Sequence, residues 1–201
     1  MGRLFPVIYD LMIRPFENQK LASVRKDLIN EAKGHVLEIG AGTGLNFPYY
    51  RNNSIVEAVE PNASMVNFAF KKGREAEPQI RFHEAKAESL PFPDDYFDSV
   101  AATLVFCTIP GPKAAIKEIE RTAKPGSKVL LFEHVKMEEK CKAAVQEKVT
   151  PLWKRICDGC HLDRDTVQLI KESRIVIDQL ESYYGGLFVK IVGHLPYEEK
   201  A

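Results

Sequence analysis

Apolar residues along the chain gather into short runs separated by more polar segments. Val36-Leu37-Glu38-Ile39, Ile55-Val56-Glu57-Ala58-Val59 and Val129-Leu130-Leu131-Phe132 have strand length, and Phe97 to Phe106 is a longer, nearly continuous run. Runs without strict alternation mark strands buried on both faces, because helices cover both sides of a parallel sheet. Ile80-Arg81-Phe82-His83-Glu84 alternates and predicts a shorter third strand. Ala63 to Lys72 and Lys113 to Lys124 read as helices between these runs, the second ended by Pro125-Gly126. Ile175 to Tyr183 and Leu187 to Val192 flank Gly185-Gly186 and predict an antiparallel pair. The pattern predicts an α/β fold, a Rossmann-like doubly wound sheet of about seven strands. It is mostly parallel with an antiparallel C-terminal strand and carries helices on both faces.

The two flanks differ from this core. In residues 1 to 32, Leu4, Phe5, Ile8, Leu11 and Met12 recur at helical steps, a break falls near Pro15, and a second helix runs from about Glu17 to Ala32. Such a segment is a lid that lays Tyr9 and Phe16 over a cleft, a surface resting on lipid, or a helix packed on the sheet edge. Residues 136 to 172 read as mostly polar helices. The length suits one domain with its own core. Its parts are a lid over 1–32, a ligand-binding core over 34–135, an insertion over 136–172 and the strand pair over 173–201.

The candidate chemistry begins where the first strand ends. Gly40, Gly42 and Gly44 stand at every second position of Gly40-Ala41-Gly42-Thr43-Gly44. Glycine reaches positive φ and has no side chain, so such a loop turns sharply and presses its backbone against a ligand. The dinucleotide fingerprint has the form G-x-G-x-x-G, and here Leu45 occupies its third glycine. Glu38 in the strand suits a ligand with an ammonium group and would repel a pyrophosphate. Both features favour S-adenosylmethionine. Glu60, followed by Pro61, ends the second strand about 20 residues on, where an acid accepts hydrogen bonds from ribose hydroxyls.

Glu38–Gly44, Glu60-Pro61, Ala87-Glu88-Ser89-Leu90-Pro91-Phe92, Phe97-Asp98-Ser99-Val100 and Lys124-Pro125-Gly126-Ser127 together resemble class I S-adenosylmethionine-dependent methyltransferases. The resemblance to the UbiE-like group spans residues 34 to about 135. Phe132-Glu133-His134-Val135 and the segment Pro151 to Cys160 are similar to the methyltransferase-like 7 proteins, which methylate thiols. Bacterial phospholipid N-methyltransferases are also similar, including the Tyr9-Asp10 start. The resemblance implies that Tyr9, Glu38, Gly40, Ala41, Gly42, Gly44, Glu60, Pro61, Met65, Ala87, Glu88 and Leu104 bind the cofactor. Lys86 stands where the family commonly has an Asp that meets the adenine amino group. Residues 136 to 172 would shape the acceptor pocket, with Phe16, Phe106, Trp153 and Tyr183 as its walls. His134 is the candidate base for an acceptor that must lose a proton.

Charge and cysteine content narrow the reading further. Lys plus Arg and Asp plus Glu are 28 each, so no global field draws nucleic acid. The acceptor is therefore expected to be a small molecule: a hydrophobic thiol, a quinone-like compound or a lipid head group. Four cysteines read as reduced thiols in a cytoplasmic protein, with peripheral membrane contact through the amino-terminal helix and no metal. Cys107 reads as a half-buried structural thiol. Cys157-Asp158-Gly159-Cys160-His161 formally matches a haem or redox pattern but lacks the partners either would need. Two rival readings stay open: a module that senses S-adenosylmethionine without catalysis, and a nucleotide-dependent oxidoreductase.

Overall fold

A computed structural model describes residues 20–157 and 159–197. Its strands are β1 (His35–Ile39), β2 (Ile55–Val59), β3 (Gln79–His83), β4 (Phe97–Thr103), β5 (Ala123–His134), β6 (Val176–Tyr183) and β7 (Phe188–His194). The helices are α1 (Lys20–Ile29), α2 (Ala63–Glu75), α3 (Pro112–Thr122), α4 (Lys140–Ile156) and α5 (Thr166–Lys171). The strands form one sheet in the order β3-β2-β1-β4-β5-β7-β6. The pairs from β3 to β5 are parallel, and β7 is antiparallel to both its neighbours. The doubly wound expectation holds.

Alternating strand residues feed two cores, one on each face of the sheet. Leu37, Val129 and Leu131 join one cluster, which α3 covers with Ala115, Ile116 and Ile119. Val36, Leu130 and Phe132 join the other, which α1 covers with Leu21, Val24 and Leu28. Each fully buried Leu or Ile contributes about 1.5–3 kcal/mol, and truncating Ile119, which has no exposed surface, to Ala would cost about 2–5 kcal/mol. Helix α2 starts where the Asn62 side chain accepts from the Ser64 N–H at 3.0 Å.

Two boundaries near the site depart from the sequence reading. Helix α3 ends at Thr122 rather than Lys124, because Ala123 already pairs with Phe97 and β5 then bulges around Pro125-Gly126 before Lys128 pairs with Ser99. Strand β4 stops at Thr103 rather than Phe106, because Leu104 turns the chain at φ +55°. Residues 1–19 of the expected lid, with Tyr9, Phe16 and the Tyr9-Asp10 start, lie outside the described residues, as does Asp158, while its second helix is α1, packed on the sheet. No helix among the described residues is long and apolar enough to cross a membrane.

Candidate active site

The strand order reverses between β1 and β4, and a crevice forms at the carboxyl ends of such strands. Here it is a cavity of about 970 Å³ that runs from the glycine loop to the ends of β5 and α4. Of the sequence-named residues, Gly40, Gly42, Glu60, Pro61, Met65, Ala87, Glu88, Leu104, His134 and Trp153 line it.

The nucleoside end is built from backbone. The N–H groups of Gly40 and Ala41 both donate to the Val59 carbonyl, at 2.8 and 3.1 Å, so the loop folds over the end of β2. Gly40 has φ +67°, and a Cβ there would collide with the Val105 side chain. At Gly42, φ +55°, a Cβ would meet only the Gly40 carbonyl oxygen at 3.8 Å. The space above Gly42 is thus a cradle that any side chain would fill. Glu60 accepts from the Gly42 N–H at 3.0 Å and the Asn62 N–H at 2.9 Å. These bonds aim the Glu60 carboxylate along the cavity wall. Bare backbone beside an aimed acid fits S-adenosylmethionine. The Ala85 to Asp94 segment is stapled to α3, where Glu118 accepts from Leu90 N–H at 2.7 Å and Arg121 donates to the Phe92 and Leu90 carbonyls. Glu88 accepts from Gly111 N–H at 3.0 Å.

Five expected contacts fall elsewhere. Glu38 is 1% exposed and lies behind the loop rather than on the cavity wall. It accepts from the Asn46 amide at 2.8 Å, and Arg25 donates to Asn46 and to Thr103 at 2.7 and 2.6 Å. Burial, opposed in part by Tyr50, Asn46 and Arg25, pushes its carboxyl up to about 7. Glu38 Oε2 and the Tyr50 hydroxyl are both buried without a well-formed hydrogen bond. Glu38 therefore supports the loop from beneath. Ala41 faces a separate small cavity of about 20 Å³ beside Arg25 and Asn46. Gly44 exists for packing, since a Cβ there would strike the Phe47 ring. Phe106 has no exposed surface and belongs to the core. Tyr183 packs on Phe132 and Phe188 and donates its hydroxyl to Glu181 at 2.6 Å, away from the cavity.

Between the two ends, Glu133 clasps the turn after β4. Leu104 donates to the Phe132 carbonyl at 2.7 Å, and the Glu133 carboxylate accepts from the N–H groups of Val105 and Phe106 at 3.0 and 3.2 Å. A left-handed non-glycine residue costs roughly 1–2 kcal/mol, and these bonds hold Leu104 there. Glu133 is fully buried. Burial pushes its carboxyl up to about 7 against those two N–H bonds.

The far end is made of side chains. His134 Nε2 lies 3.0 Å from Cys160 Sγ, and the ligand atoms of Cys107, His134 and Cys160 all lie within 4.8 Å of one another. The Cys107 contact, then His134 and Trp153, hold the Cys160 thiol well below its ordinary range, and the same contact with burial pushes Cys107 up. His134 Nδ1 is buried without a partner, and the Trp153 indole N–H faces the Cys160 sulfur without forming a well-shaped hydrogen bond. The expected free base is therefore already engaged with a thiol. Neither cysteine was singled out from the sequence as functional. The sequence carries no local signal for the cluster: Cys107 and His134 meet because Thr103 pairs with Phe132 across β4 and β5.

A family model described as a methyltransferase domain matches residues 37–131. Thiol S-methyltransferase TMT1B of Rattus norvegicus is 33% identical over 175 residues, covering 81% of this chain and 72% of that protein. Phosphatidylethanolamine N-methyltransferase of Cereibacter sphaeroides is 29% identical, covering 80% and 79%. The YcgJ protein from Bacillus subtilis has a similar fold, with TM-score 0.70 at 19% identity over 89% of this chain and 98% of its own.

Proposed function

As a member of the class I S-adenosylmethionine-dependent methyltransferases, the chain transfers a methyl group to a small acceptor, and we propose that this acceptor is a lipophilic thiol. The cofactor supplies a methyl on a sulfonium, and transfer is an in-line displacement that gains mainly from positioning in a dry cleft. Gly40, Gly42 and Glu60 hold the nucleoside, and the Ala85 to Asp94 segment closes over the adenine. At the other end Trp153, Ile109, Leu162 and Phe188 give an apolar wall, which excludes water and places the acceptor.

One observation carries the choice of thiol: no carboxylate lines the far end among the described residues. The cavity's two acids, Glu60 and Glu88, are both at the nucleoside end. An ammonium head group would find no carboxylate there, whereas a sulfur nucleophile finds soft neighbours in Cys107 and Cys160 and the hydrogen-bonding groups of His134 and Trp153. The thiol methyltransferase named above supports the same class. Val145, Val149, Leu152 and Ile156 lie exposed along one face of α4, and Ile156 reaches the cavity mouth, which suits an acceptor delivered from an apolar phase.

The test is methyl-labelled cofactor offered with alkyl and aryl thiols, phosphatidylethanolamine vesicles or a hydroquinone. Label in the thiols is expected. Label in the phospholipid alone would replace the thiol reading, and cofactor binding with no labelled acceptor would favour a sensor.

A further inference from the structure

We propose that Cys107, His134 and Cys160 form a mononuclear site for a soft divalent cation, zinc by its chemistry, whose fourth position opens into the cavity. Three separate stretches of chain converge to make it. Cys107 lies on the turn after β4, His134 is the last residue of β5, and Cys160 follows α4. Bonds to main-chain carbonyls lock these stretches together: His161 N–H donates to the Cys107 carbonyl and Lys136 N–H to the Arg164 carbonyl, both at 2.9 Å, and the Arg164 guanidinium donates to the Ile109 carbonyl at 3.1 Å.

The donor set decides the metal. Two thiols and one imidazole nitrogen suit zinc, which takes such ligands tetrahedrally. Zn–S near 2.3 Å and Zn–N near 2.0–2.1 Å place tetrahedral ligand atoms roughly 3.5–3.8 Å apart. The atoms here lie within 4.8 Å of one another, so small side-chain rotations suffice. Cys107 and Cys160 are 2% and 8% exposed, yet all three residues line the cavity. Three protein ligands with an open position is the catalytic rather than the structural pattern. The buried Trp153 N–H, which already faces the Cys160 sulfur, would donate to that sulfur once it is metal-bound, the outer-shell contact such sites use.

The consequence for the acceptor rests on the thiol reading; the metal site does not. A thiol entering the fourth position binds as thiolate, its proton passing to solvent, because a coordinating thiol is deprotonated outright. His134 then acts as a ligand, and no free base is needed.

Cobalt(II) reports both parts. The full-length, reduced chain should take up one cobalt ion with an intense sulfur-to-metal absorption in the near ultraviolet, displaced by zinc. Cys107→Ser and Cys160→Ser should lose that absorption while keeping the wild-type circular dichroism. Cys157→Ser and the exposed Cys141→Ser should keep it. An alkyl thiol should shift the band, and its S-methyl product should not. The site is refuted if neither cobalt nor zinc binds at tenfold excess. It is equally refuted if binding survives the double Cys107→Ser, Cys160→Ser variant, or if the as-purified chain holds a Cys107–Cys160 disulfide and no metal. Loss of the band in Cys157→Ser would make the site closed and overturn the open position. A metal site whose band ignores thiols that are nonetheless methylated overturns only the coordination of the acceptor. A metal site in a chain that methylates no thiol overturns only the acceptor reading.

Discussion

The two ends of the cavity are built from different materials. At the glycine loop the contacts are backbone groups aimed from the ends of two adjacent strands: Gly40 and Ala41 on Val59, Gly42 and Asn62 on Glu60. At the other end Cys107, His134, Trp153 and Cys160 are side chains brought together from three distant stretches. A backbone cradle depends on a few small residues and serves any acceptor. A side-chain cluster can change residue by residue, which is why the proposed choice of acceptor is assigned to that end.

The sharpest way to break the comparison is Gly40→Ala. The new methyl meets Val105 at a left-handed backbone, adding about 1–3 kcal/mol of overpacking to about 1–2 kcal/mol of strain. Thermal unfolding should show Tm lowered by about 5–15 °C, and calorimetry should show no cofactor binding. An unchanged Tm would mean that the loop is not held against the β4 turn.

The next effect is pH-dependent. Burial raises the Glu38 carboxyl to about 7 in the folded chain, above its ordinary unfolded value near 4.3. Between those values the native state binds more protons than the unfolded state, so the Glu38 contribution is complete in acid and is lost as pH rises toward 7. Glu38→Gln removes this titration. Its stability relative to wild type should grow between pH 5 and pH 8 by at most roughly 3 kcal/mol, read from urea unfolding at each pH. A pH-independent difference would place Glu38 in a wetter site.

Two substitutions then separate the ends. Glu60→Ala removes two charge-assisted bonds at the nucleoside end and should weaken cofactor binding about 10–100-fold. Trp153→Ala opens the acceptor wall and should raise the acceptor KM about tenfold, the scale of one partly lost aromatic contact, with the cofactor Kd within about twofold of wild type. If Trp153→Ala weakened the cofactor as much as Glu60→Ala does, the two ends would not be separable.

The same contrast explains what was legible in the sequence. Gly40, Gly42 and Glu60 could be placed because their geometry depends on glycine spacing and a strand end. Phe106 was misplaced for a local reason. A strand continuing to Phe106 would put it on the same face as Leu104, but Leu104 turns at φ +55°, sending Phe106 into the core and Cys107 to the cavity. Tyr183 lies on β6, whose place at the sheet edge depends on β7 inserting between it and β5. Cys160 approaches His134 across 26 residues, with no local pattern to announce it. Glu38 was recognised as important, but its burial behind Asn46 is a property of packing and not of spacing.

The Glu133 clasp joins the two ends mechanically. It grips the N–H groups of Val105 and Phe106. Val105 fills the space beneath Gly40, and Cys107 stands one residue beyond Phe106. A ligand that shifted this short turn from one side would move the wall met from the other, which is measurable as a change in acceptor affinity when cofactor is bound. By thermodynamic reciprocity, whatever preference the first bound molecule confers on the second is returned in equal measure.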